Sequence, residues 1–101
     1  MLTRIWTTEF DAARRDELQR FADEISAPMF RRLPGCIGYL YAVTDSTWIT
    51  QSFWASQADI EAAEASAQYR DVVGRIMEAG FLGDDQTVAV FEVTTYAAPA
   101  Q

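Results

Sequence analysis

Tyr69 stands three residues after Ser66, a spacing that lets both side chains project to one side of a helix. If the helix bends at Ser66, the tyrosine hydroxyl points into the gap between helix and sheet. A phenol there can hydrogen-bond a ligand oxygen or donate a proton. The alternative for Tyr69 is a half-buried ring with its hydroxyl in water. Arg4 lies in an apolar, β-branched stretch, where a charge is exposed, paired or turned toward a ligand. A guanidinium at that place suits an anionic or phenolate substrate. Trp6 and Trp54 are either core and interface anchors or the walls of an aromatic pocket, to which Phe30 and Met77 would add apolar lining. These residues form the candidate site: Tyr69 and Arg4 for chemistry, and Trp6, Phe30, Trp54, Ser66 and Met77 for substrate binding. No metal ligand set is expected.

The absences narrow the chemistry further. The chain has no histidine and no asparagine, which excludes histidine-based triads, histidine metal sites and histidine-ligated haem. Cys36 is the only cysteine, so no intrachain disulfide or zinc spacing is possible. With no histidine to activate it, Cys36 reads as a small buried hydrophobe. Glu61, Glu64 and Asp71 read as solvated. Glycine-rich phosphate loops are missing.

The net charge is −7, and all eight cationic residues are arginines scattered through the chain. Phosphate-driven nucleic-acid binding needs a basic footprint, so no nucleic-acid partner is expected. A membrane-surface role is disfavoured on the same ground. Thr3 and Arg4 interrupt the start and no apolar run reaches ten residues, so no signal peptide is expected and the default setting is cytoplasmic. A length of 101 residues, half of them hydrophobic, fits a single domain over 1–101 with a frayed tail at 97–101.

The elements that must carry the site follow from periodicity. Residues 2–9 read as a strand, followed by a helix that Asp11 caps, that Pro28 disturbs and that Pro34-Gly35 ends. Strands at 36–44 and 47–54 flank an Asp45-Ser46 turn. In that register Leu40, Ala42, Ile49, Gln51 and Phe53 share one face; Tyr39, Tyr41, Val43, Trp48, Thr50, Ser52 and Trp54 share the other. Both faces carry large apolar groups, so both are expected to be covered. Ser56 with Asp59 resembles a capping box. It opens a second helix over 57–79 whose buried side is Ile60, Ala63, Ala67, Val73, Ile76 and Met77. A bend or second cap is expected near 65–66, and Gly80 closes the helix. A fourth strand is expected over 86–96.

The order βαββαβ predicts an α+β, ferredoxin-like fold: a four-stranded antiparallel sheet with both helices on one face. The uncovered face of such a sheet would be a liability in a monomer, and a symmetric homodimer burying two faces together removes it. The Tyr39, Tyr41 and Trp48 face is the one expected at that dimer barrel.

The segments "LPGCIGY" at 33–39, "QSFWASQADIEAA" at 51–63 and "SAQY" at 66–69 are similar to those of the antibiotic biosynthesis monooxygenase-like family of dimeric α/β-barrel proteins. The resemblance covers nearly the whole chain. It implies a homodimer whose sheets form a barrel, with a pocket between helices and sheet in each subunit. Some relatives oxidise polycyclic aromatic polyketides without a cofactor; others degrade haem, oxidise quinols or isomerise small metabolites. Haem-degrading relatives place a Trp where this chain has Ala63, together with an Asn and an axial His that are absent here, which rules out that constellation. Tyr69 matches the tyrosine of polyketide-oxidising relatives, whereas Asp59 and Ala63 replace its polar and aromatic partners. Many members carry a His at the position of Glu64.

The expected function is a cofactor-independent monooxygenase that oxidises a small electron-rich aromatic, such as an anthrone or a quinol, with O₂. The rival readings are a non-catalytic ligand-binding or stress-associated dimer and a cofactor-independent isomerase or cyclase.

Overall fold

A computed structural model describes residues 1–98; of the expected tail, residues 99–101 lie outside the described residues. The elements are β1 (Leu2–Phe10), a 3₁₀ turn (Ala12–Arg14), α1 (Arg15–Phe21), a π-helical turn (Ala22–Ser26), α2 (Ala27–Arg32), β2 (Cys36–Val43), β3 (Thr47–Trp54), α3 (Gln57–Ala65), α4 (Ala67–Glu78) and β4 (Leu82–Glu92). The strands form one antiparallel sheet in the order β2-β3-β1-β4. This is the expected α+β, ferredoxin-like arrangement.

Alternation along β3 sets the core. Trp48, Thr50, Ser52 and Trp54 are buried, and the residues between them are half-exposed. Trp48 packs with Phe10, Leu18, Ala22 and Ile76, and Trp54 packs with Phe30, Leu33, Ile60 and Ala63. Each indole N–H is satisfied two residues away on its own strand, by Thr50 Oγ1 at 3.0 Å and Ser52 Oγ at 2.8 Å. Small residues on the helices (Ala22 beside Trp48 and Ala63 beside Trp54) make room for these rings.

The two strand faces are composed as expected, but their placement is reversed. Tyr39, Tyr41 and Trp48 face the helices rather than a dimer barrel. Tyr39 stacks on Phe30 with ring centroids 5.3 Å apart, and the Tyr41 hydroxyl donates to the carbonyl of Ala22 at 3.2 Å. Large rings belong where the helices can bury them on both sides. The face left open carries Leu40 and Phe91, 41% and 55% exposed.

Pro28 acts on the first helix as expected, with a specific result. Proline has no N–H for the helical ladder, and the preceding turn widens to a π-helix in which Ala27 N–H reaches Ala22 O. Asp11 caps the 3₁₀ turn through Ala13 N–H at 3.1 Å. The second helix breaks at Ser66, whose ψ of 148° is extended. Ser56 Oγ accepts from Asp59 N–H at 3.2 Å, as in a capping box. The reciprocal bond differs, since the Ser56 hydroxyl donates to Asp59 Oδ2 at 2.9 Å. Of the expected buried side, Ile60, Ala63 and Ile76 are buried, Val73 is half-buried, and Ala67 and Met77 are exposed. The break rotates α4 relative to α3, so one continuous stripe cannot describe both.

The fourth strand starts four residues before the expected 86 and ends at Glu92. Leu82 pairs with Phe10 beyond a register shift in which Gly83, Asp84 and Asp85 of β4 lie opposite Glu9 alone, so the bulge is in β4. Gly83 lies so close to Glu9 that a Cβ would sit 3.1 Å from it. Pairing with a neighbour strand thus overrides the weak β preference of Gly83, Asp84 and Asp85. No helix of the described residues is long and apolar enough to cross a membrane.

Candidate functional site

Between the helices and the sheet lies a cavity of about 250 Å³. One cross-strand row forms its floor: Tyr41 opposite Thr50, Thr50 opposite Trp6, and Trp6 opposite Val88. Ala22, Ser26, Met29 and Phe30 from the first helical segment wall one side, and Tyr69, Val72, Val73, Ile76 and Met77 of α4 wall the other. The interior is mainly apolar, and among the described residues Arg4 is the only charged one that lines it.

Arg4 is not an exposed strand end. Its side chain is only 11% exposed, and Nη2 donates to the Tyr69 hydroxyl at 2.9 Å. The same nitrogen meets Glu64 Oε2 at 3.3 Å, which corrects the reading of Glu64 as merely solvated. Glu64 sits at the rim, 43% exposed on its side chain, so this ion pair alone contributes little to stability. Arg4 Nε is buried with no hydrogen-bond partner among the described residues. A buried guanidinium donor left over at a cavity wall is a costly feature unless a ligand or water uses it.

Burial pushes the Tyr69 phenol above the usual tyrosine value; the neighbouring Arg4 charge opposes the shift and Glu64 adds to it. Tyr69 is therefore protonated at neutral pH. Its oxygen accepts from Arg4, which leaves its O–H free to donate into the cavity.

At the opposite end, Trp6 Nε1 donates to Gln86 Oε1 at 3.3 Å, while Gln86 Nε2 has only long contacts, 3.4 Å to Gly83 O and 3.6 Å to Met77 Sδ. The expectation for Arg4, Tyr69, Trp6, Phe30 and Met77 thus brings together residues that share one cavity. Trp54 and Ser66 do not join them. Trp54 is 2% exposed in the core beneath α3. Ser66 is spent on the helix break, accepting from Tyr69 N–H at 3.3 Å and donating to Ala63 O at 2.7 Å. Gln86, Ser26 and Thr50 are cavity residues that the sequence reading missed. Alternation does hold a signal for Gln86, which shares a strand face with Val88 and Val90. Cys36 lies outside the cavity, and its half-buried thiol is pushed up by desolvation. Among the described residues no cluster of His, Cys, Asp or Glu could hold a metal ion.

The sequence profile of the family described as "Antibiotic biosynthesis monooxygenase" matches residues 1–75. The chain belongs to this family. Solved structures of similar fold include a monooxygenase from the gene ActVA-Orf6 of Streptomyces coelicolor in complex with the ligand nanaomycin D. It is 16% identical over 98% of this chain and 92% of its own, with a TM-score of 0.83. SnoaB, a cofactor-independent oxygenase from Streptomyces nogalater, was solved as a point mutant; it is 14% identical over 94% of each chain, at a TM-score of 0.75. NE2512, of unknown function, from Nitrosomonas europaea, is 16% identical over 99% of this chain and 95% of its own, at 0.78. No curated protein matches the chain. Within this antibiotic biosynthesis monooxygenase scaffold, Ala63 is packed against the Trp54 cluster and Glu64 faces Arg4. Of the three positions that depart from the expected catalytic sets, Ala63 is therefore a core contact, Glu64 a charged contact to Arg4, and Asp59 a partner of the Ser56 cap.

Proposed function

We propose that this chain is a cofactor-independent monooxygenase that oxidises a small electron-rich aromatic, an anthrone or a quinol, with O₂. The observation that carries this reading is the Arg4–Tyr69 hydrogen bond at one end of a mainly apolar cavity. Such a substrate supplies its own electrons. For an anthrone, loss of a ring-CH₂ proton leaves an enolate whose carbon takes up O₂; the resulting hydroperoxide loses water. The CH₂ becomes C=O, one oxygen atom enters the product and the other leaves as water. The protein's part is to hold the ring, to stabilise the oxygen on which charge develops, and to keep water away. Tyr69 O–H and Arg4 would donate to that oxygen, and Trp6, Phe30 and Met77 would hold the rings. A neutral ground state that becomes anionic gives these donors more to do in the transition state than before it. Family membership supports the reaction class, and the SnoaB fold match supports the absence of a cofactor.

The same reading takes the chain as a homodimer joined through the open sheet face, where Leu40 and Phe91 are exposed. Light scattering should give twice the chain mass, and a monomer at micromolar concentration would end that part of the proposal.

Oxygen uptake over an anthrone and quinol panel tests the activity. Uptake above buffer that falls in Tyr69→Phe is expected. No uptake with any substrate, together with no effect of Tyr69→Phe, overturns it. Product without oxygen consumption would indicate an isomerase or cyclase, and binding without turnover a ligand-binding dimer.

A further inference from the structure

We propose that Glu64 makes the Arg4 end of the cavity electrically neutral, so that the site takes a neutral hydroxy- or oxo-aromatic and turns away its carboxylate analogue. The inference rests on the cavity being the substrate site, and it names the charge class of that substrate.

Arg4 and Glu64 share a 3.3 Å contact, and their charges sum to zero. Among the described residues no other charged residue lines the cavity. The donors that remain at this end include the buried, unpartnered Arg4 Nε–H and the Tyr69 O–H. Both call for an acceptor oxygen. A carbonyl or phenol oxygen satisfies them and adds no charge. A carboxylate satisfies them too, but it arrives beside Glu64 and must shed its water among apolar walls. Without Glu64 the guanidinium would offer its full charge, and carboxylates are what an unpaired guanidinium binds best. The 43% exposure of Glu64 admits solvent screening, which keeps the expected discrimination to roughly tenfold rather than many orders of magnitude. The same arrangement suits the reaction proposed above. A neutral ligand enters a neutral site, and negative charge appears only as the proton leaves.

The test needs no turnover. Binding of 1-naphthol and of 1-naphthoate, which is ionised at pH 7, is measured by calorimetry at low salt. The proteins compared are the wild type, Glu64→Gln and Glu64→Lys. The wild type is expected to bind the naphthol about tenfold more tightly than the naphthoate. Glu64→Gln should erase that preference, and Glu64→Lys should reverse it. Equal binding of both probes by the wild type, or a preference untouched in both variants, overturns this inference and leaves the cavity reading standing. Binding of neither probe overturns both.

Discussion

Arg4 Nη2 lies 2.9 Å from the Tyr69 hydroxyl and 3.3 Å from Glu64 Oε2, so one nitrogen of β1 ties together the helices on either side of Ser66. The break makes this contact possible. In an unbroken α-helix, five residues amount to about 500° of rotation, which would leave Glu64 and Tyr69 about 140° apart around the axis. The extended ψ of Ser66, 148°, redirects α4 so that both side chains converge on Arg4.

Arg4→Met should raise the ionisation of Tyr69 to a still higher pH. Arg4 lowers the phenol in two ways, through its charge and through its hydrogen bond, while burial and Glu64 act in the raising direction. Removing Arg4 leaves only the raising influences. Glu64→Gln should move Tyr69 the other way. Tyrosine ¹³Cζ titration by NMR, assigned with Tyr69→Phe, measures both. A downward shift in Arg4→Met would contradict the contact.

Tyr69→Phe should reduce kcat by about 10- to 100-fold on any substrate the oxygen-uptake panel yields, the range expected for losing a hydrogen bond to a charged oxygen at about 1.5–3 kcal/mol. The change should fall mainly on kcat, because the bond strengthens as charge develops. A rise in KM alone would assign Tyr69 to ground-state binding.

Alkaline pH should unfold the chain through two tyrosines. Burial raises both Tyr41 and Tyr69 above the ordinary value. In the unfolded chain they ionise near pH ~10. Folded, they hold their protons to higher pH, so the stability they contribute is complete below about pH 10 and is lost as the pH rises further. Urea midpoints measured from pH 8 to 11.5 should be flat and then fall. The Tyr41→Phe/Tyr69→Phe double variant should fall less steeply. An equal slope in the variant would place the alkaline transition elsewhere.

The local features of the fold were legible in the sequence because their causes are local. Ser56 and Ser66 cap through the next three residues, Pro28 alters its own helix, and β3 alternates between buried and half-exposed positions. The meeting of Arg4 with Tyr69 was legible to the same extent, since a lone charge in an apolar strand has few reasons to be there. What was hidden depends on contacts distant in sequence. Which face of the sheet the helices take decides where Trp48 and Tyr41 lie, and nothing within β2 or β3 states it. Glu64, on α3, shows no partner in its own stretch of sequence, and only the packing of α3 against the sheet brings it to Arg4, 60 residues away. The early start of β4 follows from its pairing with Phe10 beyond the bulge in β4 itself.

Ser66→Ala should lower stability without removing a cavity residue. The hydroxyl accepts from Tyr69 N–H and donates to Ala63 O, bridging the two helices. Losing an N-cap costs about 0.5–2 kcal/mol, a drop of several degrees in Tm for a domain of this size. Because Ser66 is outside the cavity lining, the affinity for 1-naphthol should stay within about threefold of wild type when measured well below Tm. A large loss of affinity with Tm unchanged would return Ser66 to the binding site.

Gly35 and Asp59 should prove coupled. Gly35 has a φ of 80°, and its carbonyl accepts from Ala55 N–H at 2.9 Å, closing the turn from α2 into β2 against the end of β3. The Asp59 side chain occupies the space a Cβ at this position would need, and Ser56 holds its carboxylate in place. Gly35→Ala therefore carries two penalties. The left-handed backbone costs about 1–2 kcal/mol, and displacing Asp59 adds to it. Asp59→Ala alone removes the hydroxyl–carboxylate bond at the helix start. Combined with Gly35→Ala it should recover the steric part and leave the backbone part. The double variant should therefore be more stable than the two single costs predict. Thermal melts of the four proteins close the cycle; strict additivity would mean that Asp59 moves aside at no cost, and that backbone conformation alone explains why glycine stands there.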